Sequence, residues 1–518
     1  MSYLVRIKEK LTSFQIITLG FVGVILLGAM LLMLPISSQT GEVTSFGSAL
    51  FTATSAVCVT GLVVYDTATY WSYFGQTVIL ILIQVGGLGV ISVASFLSMI
   101  AGRKISLMQR QTMQNALSAP QVGGVVKLTR FLFLTSFAIE GIGALLLLPV
   151  FVPQYGVKGI WLSVFHSISA FCNAGFDLMG DKTGKFSSLT SFSGNVYLNM
   201  VVCILIILGG LGFLTWRDIV TKKTRLKEYK IQTKVILVTT IILIFVPAIL
   251  FFFVEFYDNP LEKRVCMSIF QAVTPRTAGF NTADLSKMSD AGKTLTMILM
   301  LIGGSPGSTA GGMKTTTVAV LFANAVAVFR RRQNANFYGR RIDDSIVKSA
   351  ATIMFMYQFF AVSAAVIISM VESLPILDCM FESFSAIGTV GLTLGITTSL
   401  SQTSHIILIL LMFFGRVGGL TIIYAAFSHK DTSTLKYPIE NITVGKNVKR
   451  IGKFAFSQCQ YVKNVLLPIG LEEIGESAFD NCWNLEKIEI PDSVKKIGAN
   501  CFERCQAMLL HIAIIFQR

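Results

Sequence analysis

Four copies of one short pattern could present backbone carbonyl oxygens to a metal cation. Each copy reads as a short helix that ends in a glycine turn, and the four turn glycines lie 104 to 114 residues apart. A phenylalanine stands ten residues before the glycine in three copies and nine before it in the third. A fourfold unit within apolar sequence predicts four equivalent elements around one axis, which is how an ion filter is built. The copies are residues 52–62, 166–176, 271–280 and 382–392.

The residues that lead up to each glycine are the candidate ligands. A cation of the size of K+ needs oxygen atoms that replace its hydration shell, and rings of backbone carbonyls do this in channels. Glycine reaches the required backbone conformations without a Cβ penalty. Each short helix would also aim its partly negative C-terminal end at the cavity. The candidate filter residues are Val59, Thr60, Gly61, Asn173, Ala174, Gly175, Thr277, Ala278, Gly279, Thr389, Val390 and Gly391.

A separate stretch, residues 303–312, contains five glycines and Pro306 inside an apolar segment. A continuous helix is not expected there, because Gly and Pro are the poorest helix formers. Irregular backbone at membrane depth is tolerated only where it is buried in protein or lines a water-filled cavity. We therefore predict a broken helix with a flexible plug in the conduction path, the alternative being a plain interhelical loop. The candidate gate residues are Gly303, Gly304, Ser305, Gly307, Gly311, Gly312, Lys314 and Arg416.

Charged residues inside apolar segments are functional candidates by default. Arg416 is predicted to face the pore below the filter and to pair with the 303–312 loop; a structural ion pair or a snorkelling side chain is the alternative. Glu140 reads as a satisfied interhelical partner and His405 as an interfacial residue. Glu382 is predicted to begin the fourth short helix, with no role in conduction. The apolar part contains no catalytic triad, phosphate-binding loop or metal-ligand spacing, so we predict that the protein is not an enzyme.

The composition predicts a membrane protein with many spans. Of the 518 residues, 53% are hydrophobic and 14% charged, whereas a soluble domain is about a quarter charged. Eight apolar runs are long enough to cross a bilayer, two for each glycine motif. They are residues 14–34, 77–101, 131–152, 196–216, 235–254, 294–302 with 313–329, 350–371 and 405–427.

The net charge of +15 is concentrated between the repeats. Basic residues cluster in the N-terminal head and in residues 102–127, 217–234 and 330–348. The positive-inside rule places these segments in the cytoplasm, so each repeat crosses the membrane an even number of times. Two full spans and one re-entrant segment satisfy that condition. The same distribution argues against a nucleic-acid partner, and the nine cysteines indicate no disulfide framework.

The character of the chain changes after Lys436. Residues 448–470, 471–493 and 494–516 form three units of 23 residues with matching positions. The matching sets are Ile451, Ile474 and Ile497; Phe456, Phe479 and Phe502; and Cys459, Cys482 and Cys505. This period resembles the leucine-rich repeats of bacterial surface antigens, which form a solenoid. The cysteines read as inward-facing core groups, and the third unit loses the pattern after Cys505.

The motifs VCVTGL, FCNAGFD, TPRTAGFNT, GTVGLT, GGSPGSTAGGMKTTT and GRVGGLT resemble the Trk/Ktr/HKT superfamily of K+ transport proteins, and most of all the Ktr-type membrane subunit. The resemblance covers residues 14 to 437. It implies that the four glycines belong to the filter, that residues 303–312 form the gate and that Arg416 lies on the conduction path. In that superfamily serine at the first filter glycine accompanies Na+ preference, so Gly61 favours K+.

The resemblance also implies assemblies and ions. It implies a homodimer and a cytoplasmic ring of nucleotide-binding regulatory subunits, so that a nucleotide is expected only on a partner subunit. This chain is expected to bind no cofactor of its own, with K+ as the transported ion and Na+ coupling or stimulation left open.

The predicted fold class is an all-α polytopic membrane protein with four span–pore-loop–span repeats around a pseudo-fourfold axis and a small C-terminal leucine-rich-repeat solenoid. We expect a bacterial inner (plasma) membrane location with both termini in the cytoplasm. Residues 1–437 form the predicted transport domain, 438–447 a linker and 448–518 the solenoid. Repeats 1 to 4 comprise about residues 14–100, 126–216, 234–328 and 346–427. Two alternatives remain: a Na+ transporter on the same scaffold, and a membrane-anchored leucine-rich-repeat binding protein.

Overall fold

The computed structural model describes residues 12–102, 105, 107–116, 124–332, 334–419, 421–422, 441–459 and 462–505. It separates into two compact units, Met1–Ser428 and His429–Arg518. Several sequence predictions fall wholly or partly outside the described residues: the basic N-terminal head, the basic pair Arg103 and Lys104, the end of the last apolar run (423–427), the start of the linker (438–440) and the loss of pattern after Cys505.

Each of the four repeats contains an outer helix, a short helix and an inner helix, in that order. The outer helices are Ser13–Met33, Val125–Tyr155, Ile231–Leu250 (extended by a π-helical turn, Phe251–Glu255) and Asp344–Glu372. The short helices are Phe46–Cys58, Lys158–Phe171, Leu261–Val273 and Ile376–Gly388. The inner helices are Tyr73–Leu88 with Val90–Ile100, Val196–Gly210 with Phe213–Lys222, Asp290–Leu301 with Thr315–Phe329, and Gln402–Val417.

Smaller elements connect these helices. Three further α-helices are Thr67–Tyr70, Leu107–Ala116 and Gly180–Thr183. Single 3₁₀ turns are Pro35–Ser37, Thr190–Phe192, Leu226–Glu228, Leu285–Lys287 and Thr397–Ser399. The strands β1 (Asn336–Phe337) and β2 (Arg340–Arg341) form an antiparallel hairpin between repeats 3 and 4.

All four inner helices begin in the same way. A serine or asparagine side chain caps each first turn by accepting a hydrogen bond from a backbone N–H three residues later: Ser72, Asn195, Ser289 and Ser401. Such caps satisfy donors that the helix itself cannot. The shared cap fixes where each inner helix starts after its glycine turn.

The outer helices and the inner helices differ in how they could cross a bilayer. Four helices of the described chain, the outer ones, are long and apolar enough to span a membrane as continuous rods. The inner helices of repeats 1 and 2 qualify only as pairs, and each pair is bent by 98°. The apolar runs predicted at 77–101 and 196–216 therefore form bent helix pairs rather than straight helices.

Glycine conformation explains these bends. Gly89 and Gly212 have φ of 87° and 85°, with ψ of 127° and 141°. Gly418 ends the inner helix of repeat 4 with φ 91° and ψ 128°. Side-chain-bearing residues rarely adopt such values. Glycine within an apolar run favours close helix packing, and the structure shows that one glycine in each of the first two inner helices also breaks the helix.

A second glycine in each of these inner helices serves packing. Gly86, Gly209 and Gly415 each lie three residues before the bend glycine. A Cβ atom on them would meet the carbonyl oxygens of Val57, Phe171 and Ile387, respectively. Each inner helix thus touches the C-terminal end of its own short helix, and only glycine permits that approach.

The C-terminal unit contains two three-stranded parallel sheets whose strands recur every 23 residues. One sheet joins β3 (Asn441–Thr443), β5 (Asn464–Leu466) and β7 (Lys487–Glu489). The other joins β4 (Arg450–Ile451), β6 (Glu473–Ile474) and β8 (Lys496–Ile497). Ile451 pairs with Ile474 and Ile474 with Ile497, as the sequence alignment of the units predicted.

The core of this unit is a stack of aromatic rings. Phe479 is fully buried, with its ring centroid 5.3 Å from that of Phe456 and 5.6 Å from that of Phe502. The Cys482 thiol donates to the carbonyl of Phe456 at 3.2 Å, and the Cys505 thiol to that of Phe479 at 3.1 Å. The cysteines therefore lie inside the unit, as predicted for core groups.

We expect Phe479→Ala to destabilise the C-terminal unit by about 3–5 kcal/mol, because it removes the middle ring of a buried stack. Limited proteolysis of the full-length protein should then cut residues 441–505 much faster than in the parent. Ile469→Ala is the matched control, since that side chain is 89% exposed. Equal proteolysis rates for the two variants would contradict the packing described here.

Candidate functional site

The four glycine segments, which are the three residues ending at Gly61, Gly175, Gly279 and Gly391, share one unusual backbone conformation. The first residue of each has positive φ: Val59 at 57°, Asn173 at 58°, Thr277 at 71° and Thr389 at 52°. The glycines have φ of 96°, 70°, 81° and 90°. Positive φ is uncommon for a residue with a side chain. Its recurrence at one position in all four repeats means that the segments are built alike.

The four glycine segments meet in a closed ring. A Cβ atom on Gly61 would lie 2.5 Å from the carbonyl oxygen of Ala174, the residue before the next glycine. The same relation links Gly175 to Ala278 at 2.8 Å, Gly279 to Val390 at 2.5 Å, and Gly391 back to Thr60. Each glycine therefore faces the carbonyl of the following repeat. The structure brings all twelve candidate filter residues together around one centre.

Hydroxyl groups of the short helices fix these segments. Ser55 Oγ accepts a hydrogen bond from the Gly61 N–H at 3.0 Å, and Ser385 Oγ does the same for Gly391 at 3.0 Å. In the other two repeats the hydroxyl donates instead: Ser169 to the Phe176 carbonyl and Thr274 to the Phe280 carbonyl, both at 2.7 Å. Sequence reasoning missed these four residues. The signal was a Ser or Thr six residues before each glycine, or five in repeat 3.

Two further polar contacts surround the ring. The Asn173 side-chain amide lies 3.2 Å from Thr277 Oγ1 and so connects segments 2 and 3. Thr60 Oγ1 and Thr389 Oγ1 are buried and have no hydrogen-bond partner in the described part of the chain. Carbonyl and hydroxyl oxygen atoms are thus gathered at the ring.

The 303–312 loop lies against the bent inner helix of repeat 2. Its backbone N–H groups donate to that helix, from Ser305 to the Gly210 carbonyl at 2.9 Å and from Thr309 to the Gly209 carbonyl at 3.2 Å. Thr309 Oγ1 also donates to the Phe171 carbonyl, at the end of the second short helix, at 3.0 Å. The loop therefore docks beside the base of glycine segment 2.

The other end of the loop contacts repeat 4. A Cβ atom on Gly311 would meet Thr389 Oγ1, and one on Gly312 would lie 2.8 Å from the Gly388 carbonyl. Lys314, two residues after the loop, donates from Nζ back to the carbonyls of Ala310 and Gly311 at 2.8 Å and 3.3 Å. The predicted break in the helix is present. The loop is a hydrogen-bonded and largely buried turn rather than a segment free of contacts.

Arg416 joins the loop to the first repeat. Its guanidinium donates to the Thr309 carbonyl of the loop, and to the carbonyls of Gly86 and Gly87 at 2.5 Å and 3.1 Å. Arg416 stands two residues before the bend glycine, a place that glycine occupies in repeats 1 and 2. Among the residues that the structure describes, no carboxylate forms an ion pair with it. Three carbonyl oxygens are its partners, so the alternative of a structural ion pair finds no support.

Three other polar residues can now be placed. Gln84 Nε2 donates to both carboxylate oxygens of Glu140, at 2.9 Å and 3.0 Å, which agrees with the interhelical role predicted for Glu140. His405 is half-buried, and its ring lies 5.0 Å from that of Phe51. Glu382 lies in the middle of the helix Ile376–Gly388 and is fully buried, so the prediction that it begins the fourth short helix is wrong.

Comparisons with known proteins agree with this architecture. The family described as TrkH, cation transport protein, matches residues 8–435, and the BspA type leucine-rich repeat region matches residues 431–514 in six copies. The potassium/sodium uptake protein NtpJ of Enterococcus hirae is 43% identical, over 85% of this chain and 99% of the relative. The Ktr system potassium uptake protein B of Bacillus subtilis is 40% identical, over 84% of this chain and 97% of the relative.

A solved structure has the same fold over the membrane part. The potassium transporter TrkH from Vibrio parahaemolyticus has a TM-score of 0.63 at 17% identity, covering 79% of this chain and 83% of that one. These relatives are transporters, which confirms the predictions of a multi-pass membrane protein and of a chain that is not an enzyme. By the match of a family model to most of its length, the chain belongs to the TrkH family of cation transport proteins.

Proposed function

We propose that the chain is the K+-translocating subunit of a membrane transport system, with the ion passing through the centre of the four glycine segments. The ring of four glycines, each facing the carbonyl of the next repeat, carries this proposal. The names of the relatives support the ion, since two are called potassium uptake or potassium/sodium uptake proteins.

The twelve residues of the glycine segments would form the selectivity filter. Positive φ at two positions of each segment turns successive peptide units, and the fourfold arrangement then gives layers of carbonyl oxygens around one pseudo-fourfold axis. Such layers replace the water around a monovalent cation. A Na+ transporter on the same scaffold is the second candidate, favoured by the name of the Enterococcus relative, a potassium/sodium uptake protein. Glycine rather than serine at position 61 supports K+ as the transported ion. Coupling of K+ transport to Na+ is part of the same proposal.

The 303–312 loop, with Gly303, Gly304, Ser305, Gly307, Gly311, Gly312 and Lys314, would form the gate. The loop contacts the bases of segments 2 and 4, which lie on opposite sides of the ring. Arg416 would hold the gate closed, because its guanidinium ties the Thr309 carbonyl to the inner helix of repeat 1. Hydrogen bonds from charged donors are stronger than neutral ones. Opening of the gate then requires that the hydrogen bonds of Arg416 to Thr309 and Gly86 break and be replaced by others.

The assembly proposed here is a homodimer in the bacterial inner membrane, with both termini in the cytoplasm and a cytoplasmic ring of nucleotide-binding subunits that controls the gate. The basic connectors support this orientation, because positively charged loops remain on the cytoplasmic side. Residues 1–437 would act as the transport domain, 438–447 as a linker and 448–518 as an appended leucine-rich-repeat solenoid.

Uptake in cells that lack their own K+ systems tests the proposal. Expression of this chain, together with a family regulatory subunit where one is needed, should restore growth and K+ uptake at low external K+. Uptake of Na+ without K+ would favour the second candidate. Uptake of neither ion, in cells whose membranes contain the folded protein, would contradict both.

We expect Gly175→Ala to lower cation uptake roughly 100-fold, the scale of effect that a 1 Å misplacement can produce at a binding site. The new methyl group would lie 2.8 Å from the Ala278 carbonyl, at a residue whose φ is +70°. Gly23→Ala is the matched control, since a Cβ atom there meets nothing within 4 Å. Parental uptake by the Gly175 variant would refute the assignment of this segment to the filter.

Deleting residues 306–308 should raise basal K+ flux in proteoliposomes that contain no regulatory subunit. The shortened loop could no longer bond both to repeat 2, through the Gly307 carbonyl and the Phe213 N–H, and to Arg416. Ser308→Ala keeps the length and removes a hydroxyl that has no partner in the described residues, so its flux should match that of the parent. Unaltered flux after the deletion would reduce the loop to a linker.

Removal of residues 448–518 should leave K+ uptake nearly intact, because the C-terminal unit is compact by itself and contains none of the proposed filter or gate residues. The measurement is the initial rate of uptake, normalised to the amount of protein in the membrane. A complete loss of transport by a normally expressed, truncated protein would show that the C-terminal unit takes part in conduction or gating.

A further inference from the structure

One position on the short helices carries a buried polar residue in every repeat. Counting three residues back from the hydroxyls that hold the glycine segments gives Thr52, His166, Gln271 and Glu382. Their side chains are each at most 1% exposed. Four polar groups of different chemistry therefore occupy equivalent places beside the ring.

Glu382 accepts hydrogen bonds from the chain just after glycine segment 4. One carboxylate oxygen accepts from Thr393 Oγ1, and the other accepts from Thr397 Oγ1 at 2.9 Å. No cationic side chain among the described residues forms an ion pair with it. These neutral donors are what a buried carboxylate needs in order to be tolerated in an apolar surrounding.

His166 makes the equivalent contact in repeat 2. Its Nδ1 lies 2.8 Å from the Leu162 carbonyl, which can only accept, so Nδ1 carries the proton. Nε2 is then free to accept from the Leu178 backbone N–H, at 3.4 Å. Leu178 stands three residues after Gly175, and Thr393, a partner of Glu382, stands two residues after Gly391. Two different acceptors thus hold the chain just after their glycine segments.

The other two repeats lack this contact. Gln271 Nε2 lies 3.4 Å from Thr296 Oγ1 on the inner helix, and Thr52 Oγ1 donates to the Ser48 carbonyl of its own short helix. The chain after segments 1 and 3 instead forms hydrogen bonds with Phe186 and Ser188 of repeat 2. Phe186 N–H donates to Asp66 at 2.9 Å, and Asn281 N–H donates to Ser188 Oγ at 3.0 Å.

The order of the segments around the ring places segments 2 and 4, which His166 and Glu382 contact, opposite each other. Segment 1 contacts segment 2, 2 contacts 3, 3 contacts 4, and 4 contacts 1, so segments 2 and 4 form one diagonal. The contacts from Glu382 and His166 therefore act on one diagonal of the ring, and those from residues 186–189 act on the other.

We propose that Glu382 and His166 are positioning residues that set the width of one diagonal of the filter and thereby its discrimination between K+ and Na+. The inference rests on the proposed function, since it assumes that the glycine segments form the filter. Neither residue touches the ion. Each acts through a hydrogen bond to the chain two or three residues beyond its filter glycine, from the Thr393 hydroxyl to Glu382 and from the Leu178 N–H to His166. A binding site held by such surrounding contacts loses precision when they are removed.

The test replaces each acceptor and measures ion discrimination. Glu382→Gln keeps the shape but turns an NH₂ group toward a hydroxyl donor, and His166→Phe keeps the ring but removes Nε2. We expect each variant to lower the ratio of K+ to Na+ uptake about tenfold, which corresponds to about 1.4 kcal/mol. The apparent affinity for K+ should fall with it. His166→Gln, which restores an acceptor oxygen, should recover part of the ratio.

Thr52→Val and Gln271→Met are the matched controls, because they change the same helix position in the two repeats that lack the contact. Their K+ to Na+ ratio should equal that of the parent even if less protein reaches the membrane. A general packing role would lower expression in all four variants and leave the ratio constant, and that result would overturn the proposal. So would an equal loss of discrimination in the controls.

A second measurement works without transport. The melting temperature of purified protein should rise more in K+ than in Na+, because ligand bound to the folded state stabilises it. Glu382→Gln should shrink that difference and Thr52→Val should preserve it. A parent that shows neither uptake nor a K+-specific rise would refute the proposed function, and the inference with it. If the parent responds to K+ and the Glu382→Gln and His166→Phe variants behave like the parent, the inference alone is refuted.

Discussion

The close approach of four glycines to four carbonyl oxygens is the constraint on which the membrane unit depends. A Cβ atom at any of these glycines would come within 2.8 Å of the carbonyl that precedes the next glycine in the ring. Four chain segments can meet at so short a distance only where side chains are absent and φ is positive. The short helices, their hydroxyl groups and the capped inner helices can all be understood as the means of holding the segments at that distance.

Glycine recurs in the surrounding layer for related reasons. In three inner helices one glycine admits the carbonyl end of a short helix, and another glycine three residues later breaks the helix. Repeat 3 departs from this plan. There the helix is replaced over residues 303–312 by a turn that bonds to repeat 2 and, through Arg416, to repeats 1 and 4. The one irregular repeat thus supplies the segment that contacts the others beneath the ring.

Much of this arrangement could be predicted from the sequence, because glycine spacing and apolar runs report directly on close packing and membrane crossing. The bends at Gly89 and Gly212 could not, since a glycine in an apolar run indicates packing and bending equally well. An acidic residue is typical of a helix start, but Glu382 lies in the middle of its helix. The true signal was Pro375, which precedes the first helical residue, Ile376. The partners of Arg416 are carbonyls of residues 107 to 330 positions away, and no local pattern encodes such contacts.

The placement of all four segments in a single polypeptide has a consequence for how such a ring can evolve. In a homotetramer every substitution appears four times, so an arginine or an irregular loop at the centre would be multiplied and its copies would collide. Here each quadrant mutates independently. Arg416 occupies one quadrant where two others have glycine, and the 303–312 turn occupies another. A single chain thereby permits an asymmetric contact inside a nearly symmetric ring, which identical subunits could not supply.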